Sequence, residues 1–197
     1  MNSERDDELI ERLVDRQVLP GGTYLTFARD TVVTPDGRQH GRDIVIHPGA
    51  VTICAIRDDR SVLLVRQYRH PAGEVLLELP AGTLEMLDDG SVEDPLAAAK
   101  RELYEETGYH GSDWRKLAEF FTAPGFASEL MHLYLATGLE LAPDYDGPEE
   151  DEHLRLVEMP FADAVAAAED GTIRDAKTIV GLFAVARMAG RGEVPGL

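Results

Sequence analysis

One short segment, residues 94 to 108, constrains the fold most because it carries the signals for both ends of a helix. Asp94 is a typical N-cap residue and Pro95 suits the first helical position. Gly108 stands where a left-handed C-terminal cap is expected. An apolar stripe of leucine and alanine runs between these ends, so the segment predicts an amphipathic helix packed on a core.

Three glutamates of this helix lie within five positions of one another. Glu102 and Glu106 are four residues apart and Glu105 is one turn from Glu102, so all three project from one side, at the border of the apolar stripe. Like-charge pairs of this kind cost a helix roughly 0.2–0.5 kcal/mol each. Either solvent tolerates that cost, as on an ordinary acidic face, or a cation removes it. Several carboxylates on one face suit a hard divalent ion such as Mg²⁺ or Mn²⁺.

Strands and helices alternate along the rest of the chain without strict βαβ repetition, which predicts a mixed sheet with helices on both faces. A helix over residues 3–16 and a hairpin over about 20–48 form a predicted N-terminal unit, residues 1–49, ahead of a main domain, residues 50–197. Within the main domain the patterns predict strands over 51–57, 61–69, 74–82, 114–121, 132–138 and 154–159, and helices over 160–169 and 173–188.

The charge balance restricts the partners. Among 197 residues, 19 are Lys or Arg and 37 are Asp or Glu, for a net charge of −18. Phosphate-backbone and anionic-membrane contacts need clusters of basic residues, so nucleic-acid binding and membrane docking are not expected. A small anionic ligand remains compatible if metal ions and a few arginines offset the charge. Cys54 is the only cysteine and no signal-like apolar stretch is present, which favours the cytoplasm.

Residues 82–109 resemble the Nudix box. That motif runs glycine, five residues, glutamate, seven residues, then Arg-Glu-aliphatic-any-Glu-Glu-any-Gly-aliphatic. Glu93, seven intervening residues and "RELYEETGY" match it, with Tyr109 at the last aliphatic position. Ten residues, "TLEMLDDGSV", separate Gly82 from Glu93 instead of five. Because the spacing from Glu93 onward is kept, we interpret the difference as a five-residue loop insertion.

The resemblance extends from about residue 20 to residue 188. The segments "VRQYRHPAGEVLLELPAGTLE", "FFTAPGFASELMHLYLATGL" and "DAKTIVGL" are similar to the ADP-ribose pyrophosphatase branch of Nudix hydrolases. This implies a Nudix-type α/β/α sandwich and Mg²⁺-dependent hydrolysis of a nucleoside diphosphate sugar, with ADP-ribose cleaved to AMP and ribose 5-phosphate as the first candidate. It also implies a homodimer formed through the N-terminal unit, with Tyr24 and Phe27 at the interface, although ordinary hairpin packing explains those two residues equally well.

The resemblance also implies roles for the residues of the box. Glu102 and Glu106 are the principal metal ligands, Glu105 supports them at the catalytic centre, and the backbone carbonyl of Ala81 adds an oxygen. A carboxylate–guanidinium pair of Glu93 and Arg101 orients the loop and the helix, and Gly82 opens the loop.

A second acidic cluster, "PEEDEH" at residues 148–153, is an ordinary solvated loop in isolation. In the resembling family a glutamate of this loop acts as general base or completes the metal shell. Its spacing to the following strand favours Glu150 as the base and Glu152 as a metal ligand, and Glu149 is an alternative for either role.

Substrate contacts are predicted in two further segments. Arg66 and Arg69 end a core strand and are a candidate pair to bracket a diphosphate, with an ordinary surface salt bridge as the alternative, above all for Arg66. In the resembling family the arginine that aligns with Arg69 contacts the substrate. Phe126, in the "APGFASE" loop, is a candidate to pack on an adenine or ribose, with a core anchor as the alternative, and Glu129 is a candidate second-sphere acid.

Three rival functions remain at this point. The box residues would contact only the common diphosphate, so another nucleotide sugar or a dinucleotide fits equally well. A Nudix-fold nucleotide-binding module without turnover is disfavoured by the intact acidic motif. An acidic metal-buffering protein is the third rival, but that function would not explain the arginines or the "PGF" loop.

Overall fold

The computed structural model describes residues 7–22, 25–147, 153–194 and 197. After a short 3-10 helix, Asp7–Leu9, the strands are β1 Arg12–Leu19, β2 Thr26–Val33, β3 Gln39–Ile46, β4 Ala50–Ala55, β5 Ser61–Arg69, β6 Glu74–Glu78, β7 Ala81–Thr83, β8 Tyr109–Phe121, β9 Leu130–Leu141 and β10 Leu154–Pro160. The helices are α1 Pro95–Thr107, α2 Phe161–Glu169 and α3 Ala176–Ala189. None of the helices in these ranges is long and apolar enough to cross a membrane.

The chain divides into two compact units. The first comprises residues 1–48 and the returning segment 121–129, and the second comprises residues 49–120 and 130–197. The predicted boundary, after residue 49, lies one residue beyond this division, whereas the return of 121–129 to the first unit was not predicted. That segment joins the first unit through a parallel bridge between Val45 and Ala127 and through the backbone bond from the Val45 N–H to the Phe126 carbonyl, 2.8 Å.

The first unit is a three-stranded antiparallel sheet in the order β1-β2-β3. The predicted helix over residues 3–16 is therefore wrong for its second half, because residues 12–19 form an edge strand. Arg16 explains why: its guanidinium donates two hydrogen bonds to Asp30 of β2, at 2.8 and 2.7 Å, directly across the register. Apolar residues spaced as on a helix were outweighed by pairing with a distant strand.

The second unit contains two sheets. One has the antiparallel order β10-β5-β6, and the other has the order β7-β4-β9-β8, in which β4 and β9 are parallel. Strand β4 is buried along its whole length, as expected for a strand covered on both faces.

Alternate residues of β4 lead into two separate cores. Val51 and Ile53 pack with Leu103 of α1, whereas Cys54 packs with Leu182 of α3 and with residues of α2. Helices therefore cover both faces of a mixed sheet, which confirms the predicted α/β/α sandwich with an additional N-terminal antiparallel unit.

Candidate active site

Helix α1 begins and ends where the sequence predicts. The Asp94 carboxylate accepts hydrogen bonds from the N–H groups of Leu96 and Ala97, at 3.1 and 3.0 Å. At the other end Gly108 has a φ of 75°, a left-handed conformation that favours glycine, and its N–H donates to the Tyr104 carbonyl. The caps define the ends of α1, while the packing of Ala99 and Leu103 on β4 sets the direction of its glutamates.

Two of the three glutamates lie almost buried against the segment that follows β6. Glu102 is 6% exposed and Glu106 is 4% exposed. The Ala81 N–H donates to a carboxylate oxygen of Glu106 at 3.0 Å. A Cβ on Gly82 would lie 1.9 Å from the carboxylate carbon of Glu102, so only glycine leaves room for that carboxylate. Both carboxylates therefore lie against strand β7.

Arg101 neutralises the crowded carboxylates. Its Nε and Nη2 donate to the two oxygens of Glu93, at 3.2 and 3.0 Å, which confirms the predicted pair. Its Nη1 donates to Glu102 and to Glu105, both at 2.8 Å, a bridge that was not predicted. The bond from Arg101 holds the pKa of Glu93 below its usual range, and its partners, Glu93 first, raise the pKa of Arg101. One guanidinium therefore offsets much of the repulsion noted in the sequence.

The residues between Gly82 and Glu93 form a small hairpin. Met86 and Val92 pair across it in an antiparallel bridge. The Glu93 N–H donates to the Glu85 carbonyl at 2.9 Å, and the Glu85 N–H donates to the Glu93 carboxylate at 3.3 Å. The longer spacing thus leaves Glu93 in place beside Arg101.

Arg69 is held by a carboxylate that sequence reasoning missed. Glu78, fully buried at the end of β6, accepts from Nε and Nη2 of Arg69 at 2.8 and 2.7 Å, and also from the Lys177 ammonium. Burial raises the pKa of Glu78, but the hydrogen bonds and charges of Arg69 and Lys177 outweigh burial and hold it below its usual range. A single glutamate, Glu78, inside the apolar run "VLLEL" at residues 75–79 was the available signal.

Arg69 and the helix glutamates contact neighbouring stretches of the chain, Glu78 in the first case and Ala81 and Gly82 in the second. The pKa of Arg69 is raised chiefly by its bond with Glu78, and the charge of Glu106 adds to the effect. Its two bonds to Glu78 use Nε and Nη2, so Nη1 is the nitrogen of the guanidinium that does not bind Glu78. The contacts of Arg69 and of the two buried carboxylates thus fall within residues 78–82.

Arg66 does not share the contacts of Arg69, and its part in bracketing a diphosphate stays a prediction. The two residues are three positions apart on a regular strand, and successive side chains of a strand point to opposite faces. Arg66 lines a cavity with Tyr68 and Arg155, whereas Arg69 lies on the face that carries Glu78.

The other predicted residues fall into two groups. Glu149, Glu150, Glu152 and Tyr24 are outside the described residues. Phe126 and Glu129 belong to the first unit. Phe126 is 57% exposed and lines a cavity of about 530 Å³ with Leu13, Ile44 and Phe121. Glu129 accepts a hydrogen bond from the Thr122 hydroxyl and lies 3.4 Å from Nε2 of His47.

The carboxylates on α1 fit a divalent metal of the hard type. No three Asp, Glu, His or Cys side chains of the described ranges converge as a complete metal site. Mg²⁺ does not require one, because it is usually held by one or two carboxylates together with water and substrate phosphates. Glu102 and Glu106 supply two such carboxylates, and the room that Gly82 leaves keeps one of them in place.

Comparisons with known proteins place the chain in a family. The model of the NUDIX domain matches residues 46–180. The methanol dehydrogenase activator of Bacillus methanolicus is 38% identical over 170 residues, which cover 86% of this chain and 89% of that protein. The ADP-ribose pyrophosphatase of Bacillus subtilis (strain 168) is 35% identical over 170 residues, with the same two coverages.

A solved structure shares the fold. The crystal structure of an ADP compounds hydrolase has a TM-score of 0.76 and 23% sequence identity, and the match covers 94% of this chain and 98% of that one. The family match spans well over half of the residues and includes the capped helix and its glutamates. This chain belongs to the NUDIX domain family and is a Nudix hydrolase.

Proposed function

We propose that this protein hydrolyses the diphosphate bond of a nucleoside diphosphate sugar, with ADP-ribose as the first substrate, giving AMP and ribose 5-phosphate. The observation that carries the proposal is the buried pair Glu102 and Glu106, held against Ala81 and Gly82. Arg69, anchored by Glu78 at the end of β6, supports it. The relative from Bacillus subtilis, named an ADP-ribose pyrophosphatase, supports the choice of substrate.

Membership of the family implies dependence on a divalent metal ion, and we propose Mg²⁺, with Mn²⁺ as a substitute. When bound, the ion would neutralise phosphate oxygens and lower the pKa of the attacking water. Glu102 and Glu106 would hold it, with Glu105 in support and the Ala81 carbonyl as a predicted further ligand. Arg69, fixed by Glu78, would place Nη1 against a phosphate oxygen.

The general base is assigned from sequence alone. Glu150 is the first candidate, Glu149 the alternative, and Glu152 a predicted metal ligand. Glu150→Gln should fold, bind metal and lose most of kcat, because an amide cannot accept the proton of water. A kcat near that of the wild type would remove Glu150 from this role.

The remaining proposals concern two residues of the first unit, the oligomeric state and the location. Phe126 and Glu129 are proposed as a substrate contact and a second-sphere acid. A homodimer through the N-terminal unit is supported by edge strand β1, where Val14 and Val18 are 47% and 60% exposed, and by Phe27, which is 40% exposed. A cytoplasmic location is proposed from the single cysteine, Cys54.

The deciding experiment is incubation of the purified protein with ADP-ribose and Mg²⁺, with the products separated by anion-exchange chromatography. We expect AMP and ribose 5-phosphate, no reaction with EDTA, and no reaction by Glu106→Gln. Glu169→Gln is the matched control, because Glu169 is an exposed glutamate at the end of α2 and should retain full turnover. A panel of other nucleotide sugars and dinucleotides, assayed in parallel, tests the substrate assignment.

A second candidate function rests on the relative named a methanol dehydrogenase activator, which shares 38% identity. In that case the protein would activate a partner enzyme, or would bind nucleotides without turnover. If every compound of the panel is untouched while metal still binds, this second candidate replaces the first.

A further inference from the structure

Opposite Arg69, the other face of sheet β10-β5-β6 carries two arginines side by side. The register pairs Arg155 of β10 with Arg66 of β5, and Tyr68 of β5 with Val75 of β6. Residues directly opposite on one face have Cβ atoms about 4.5–5.5 Å apart. A cavity of about 430 Å³ lies over these positions; we call it the arginine pocket, and its lining is Arg66, Tyr68, Val75, His153, Leu154 and Arg155.

The charges of the arginine pocket are uncompensated within the described part of the chain. Neither Arg66 nor Arg155 forms an ion pair or side-chain hydrogen bond with any described residue, and no described acidic residue lines the pocket. Like charges directly opposite on neighbouring strands destabilise a sheet. This arrangement is unusual in a chain with a net charge of −18, where other arginines such as Arg57 and Arg115 have carboxylate partners.

The two arginines of the pocket indicate which class of ligand it would bind. Two adjacent guanidinium groups present parallel N–H donors that match the oxygens of a phosphate group. Tyr68 and Val75, 55% and 51% exposed, flank the cations with apolar surface. We propose that the arginine pocket binds a small phosphate-bearing anion, separately from the diphosphate site at Arg69.

The test uses thermal unfolding of the full chain with EDTA present, so that no metal recruits phosphate to the candidate active site. Inorganic phosphate and phenyl phosphate are titrated separately against KCl at equal ionic strength. The variant is Arg66→Gln/Arg155→Gln. The control is Arg12→Gln/Arg187→Gln, which removes two exposed arginines outside the pocket and changes the net charge equally.

We expect both phosphates to raise the Tm of the wild type and of the control beyond the effect of KCl. The Arg66/Arg155 variant should bind phosphate about a hundredfold more weakly, since it loses a charge-assisted hydrogen bond from each arginine and each is worth about tenfold. Without phosphate the same variant should unfold at a higher temperature than the wild type, because its like-charge pair is gone.

Two outcomes would overturn the proposal. The first is an equal phosphate shift in the Arg66/Arg155 variant and the wild type. The second is a wild-type shift that KCl reproduces at the same ionic strength. Given binding, a higher affinity for phenyl phosphate identifies an organic phosphate ester as the ligand, and equal affinities identify free phosphate. Neither comparison depends on hydrolysis of a nucleotide sugar.

Discussion

At the scale of single residues, Gly82 matters more to the site than its small size suggests. Its missing side chain is the space that the Glu102 carboxylate occupies. In Gly82→Ala the flexible end of Glu102 must move, so we expect stability near that of the wild type but a loss of about a hundredfold in kcat/KM, the order that an ångström of misplacement costs. Metal titration and steady-state kinetics check this.

The matched control is Gly41→Ala, because a Cβ there meets no atom within 4 Å. Gly41→Ala should change neither the metal affinity nor kcat/KM. Retention of full metal affinity and turnover by Gly82→Ala would show that Glu102 need not lie against β7.

Glu78 gives a second prediction at this scale. Glu78→Gln removes the buried carboxylate that both Arg69 and Lys177 bind, so we expect a loss of about 3 kcal/mol in the free energy of unfolding, although Lys177 keeps its pair with Asp175. Glu74→Gln, on the same strand, breaks an exposed pair with Arg174 and should cost less than about 1 kcal/mol. Urea unfolding of both variants makes the comparison.

The acid dependence of the wild type follows from the same residue. The pKa of Glu78 is lower in the folded protein than in the unfolded chain. Its contribution to stability is therefore present above the ordinary glutamate pKa of about 4.3 and is lost as the pH falls through and below that value. Glu78→Gln should lose less stability than the wild type over this acidic range. Parallel acid profiles of the two proteins would contradict the role of Glu78.

The elements differ in how well the sequence predicts them. Helix α1 was predictable to the residue because Asp94, Pro95 and Gly108 act locally. Strand β1 was not, because Arg16 is explained only by Asp30 on a strand that is distant in sequence. Glu78 was missed for the same reason: its partner Lys177 lies 99 residues away.

The inserted hairpin gives a prediction at the scale of elements. Deleting residues 87–91 would restore the five-residue spacing between Gly82 and Glu93. Met86 and Val92 already pair across the hairpin, so joining them requires little movement. We expect the shortened protein to fold and to keep its metal-dependent hydrolysis within about threefold of the wild type, since Glu93 would still bind Arg101. A folded but inactive protein would show that the hairpin itself takes part in catalysis.

At the scale of the whole molecule, the net charge of −18 makes any cation stabilising to some degree, so a specific metal site must be separated from general screening. A ligand that binds only the folded state adds about 2.7 kcal/mol at one hundred times its Kd. We therefore expect Mg²⁺ to raise the Tm well beyond KCl of equal ionic strength, and EDTA to reverse the rise.

The variant Glu102→Gln/Glu106→Gln separates the two effects. It removes two of 37 acidic residues, so screening by salt should be nearly unchanged, while the stabilisation specific to Mg²⁺ should disappear. The double variant relieves the repulsion between two buried carboxylates but also weakens the bonds from Arg101 and the Ala81 N–H, so the Mg²⁺ effect is measured as the change in Tm relative to the same variant without metal. If Mg²⁺ still raises its Tm as much as that of the wild type, the ion binds elsewhere on the acidic surface. The buried pair on α1 would then no longer support the proposed hydrolysis.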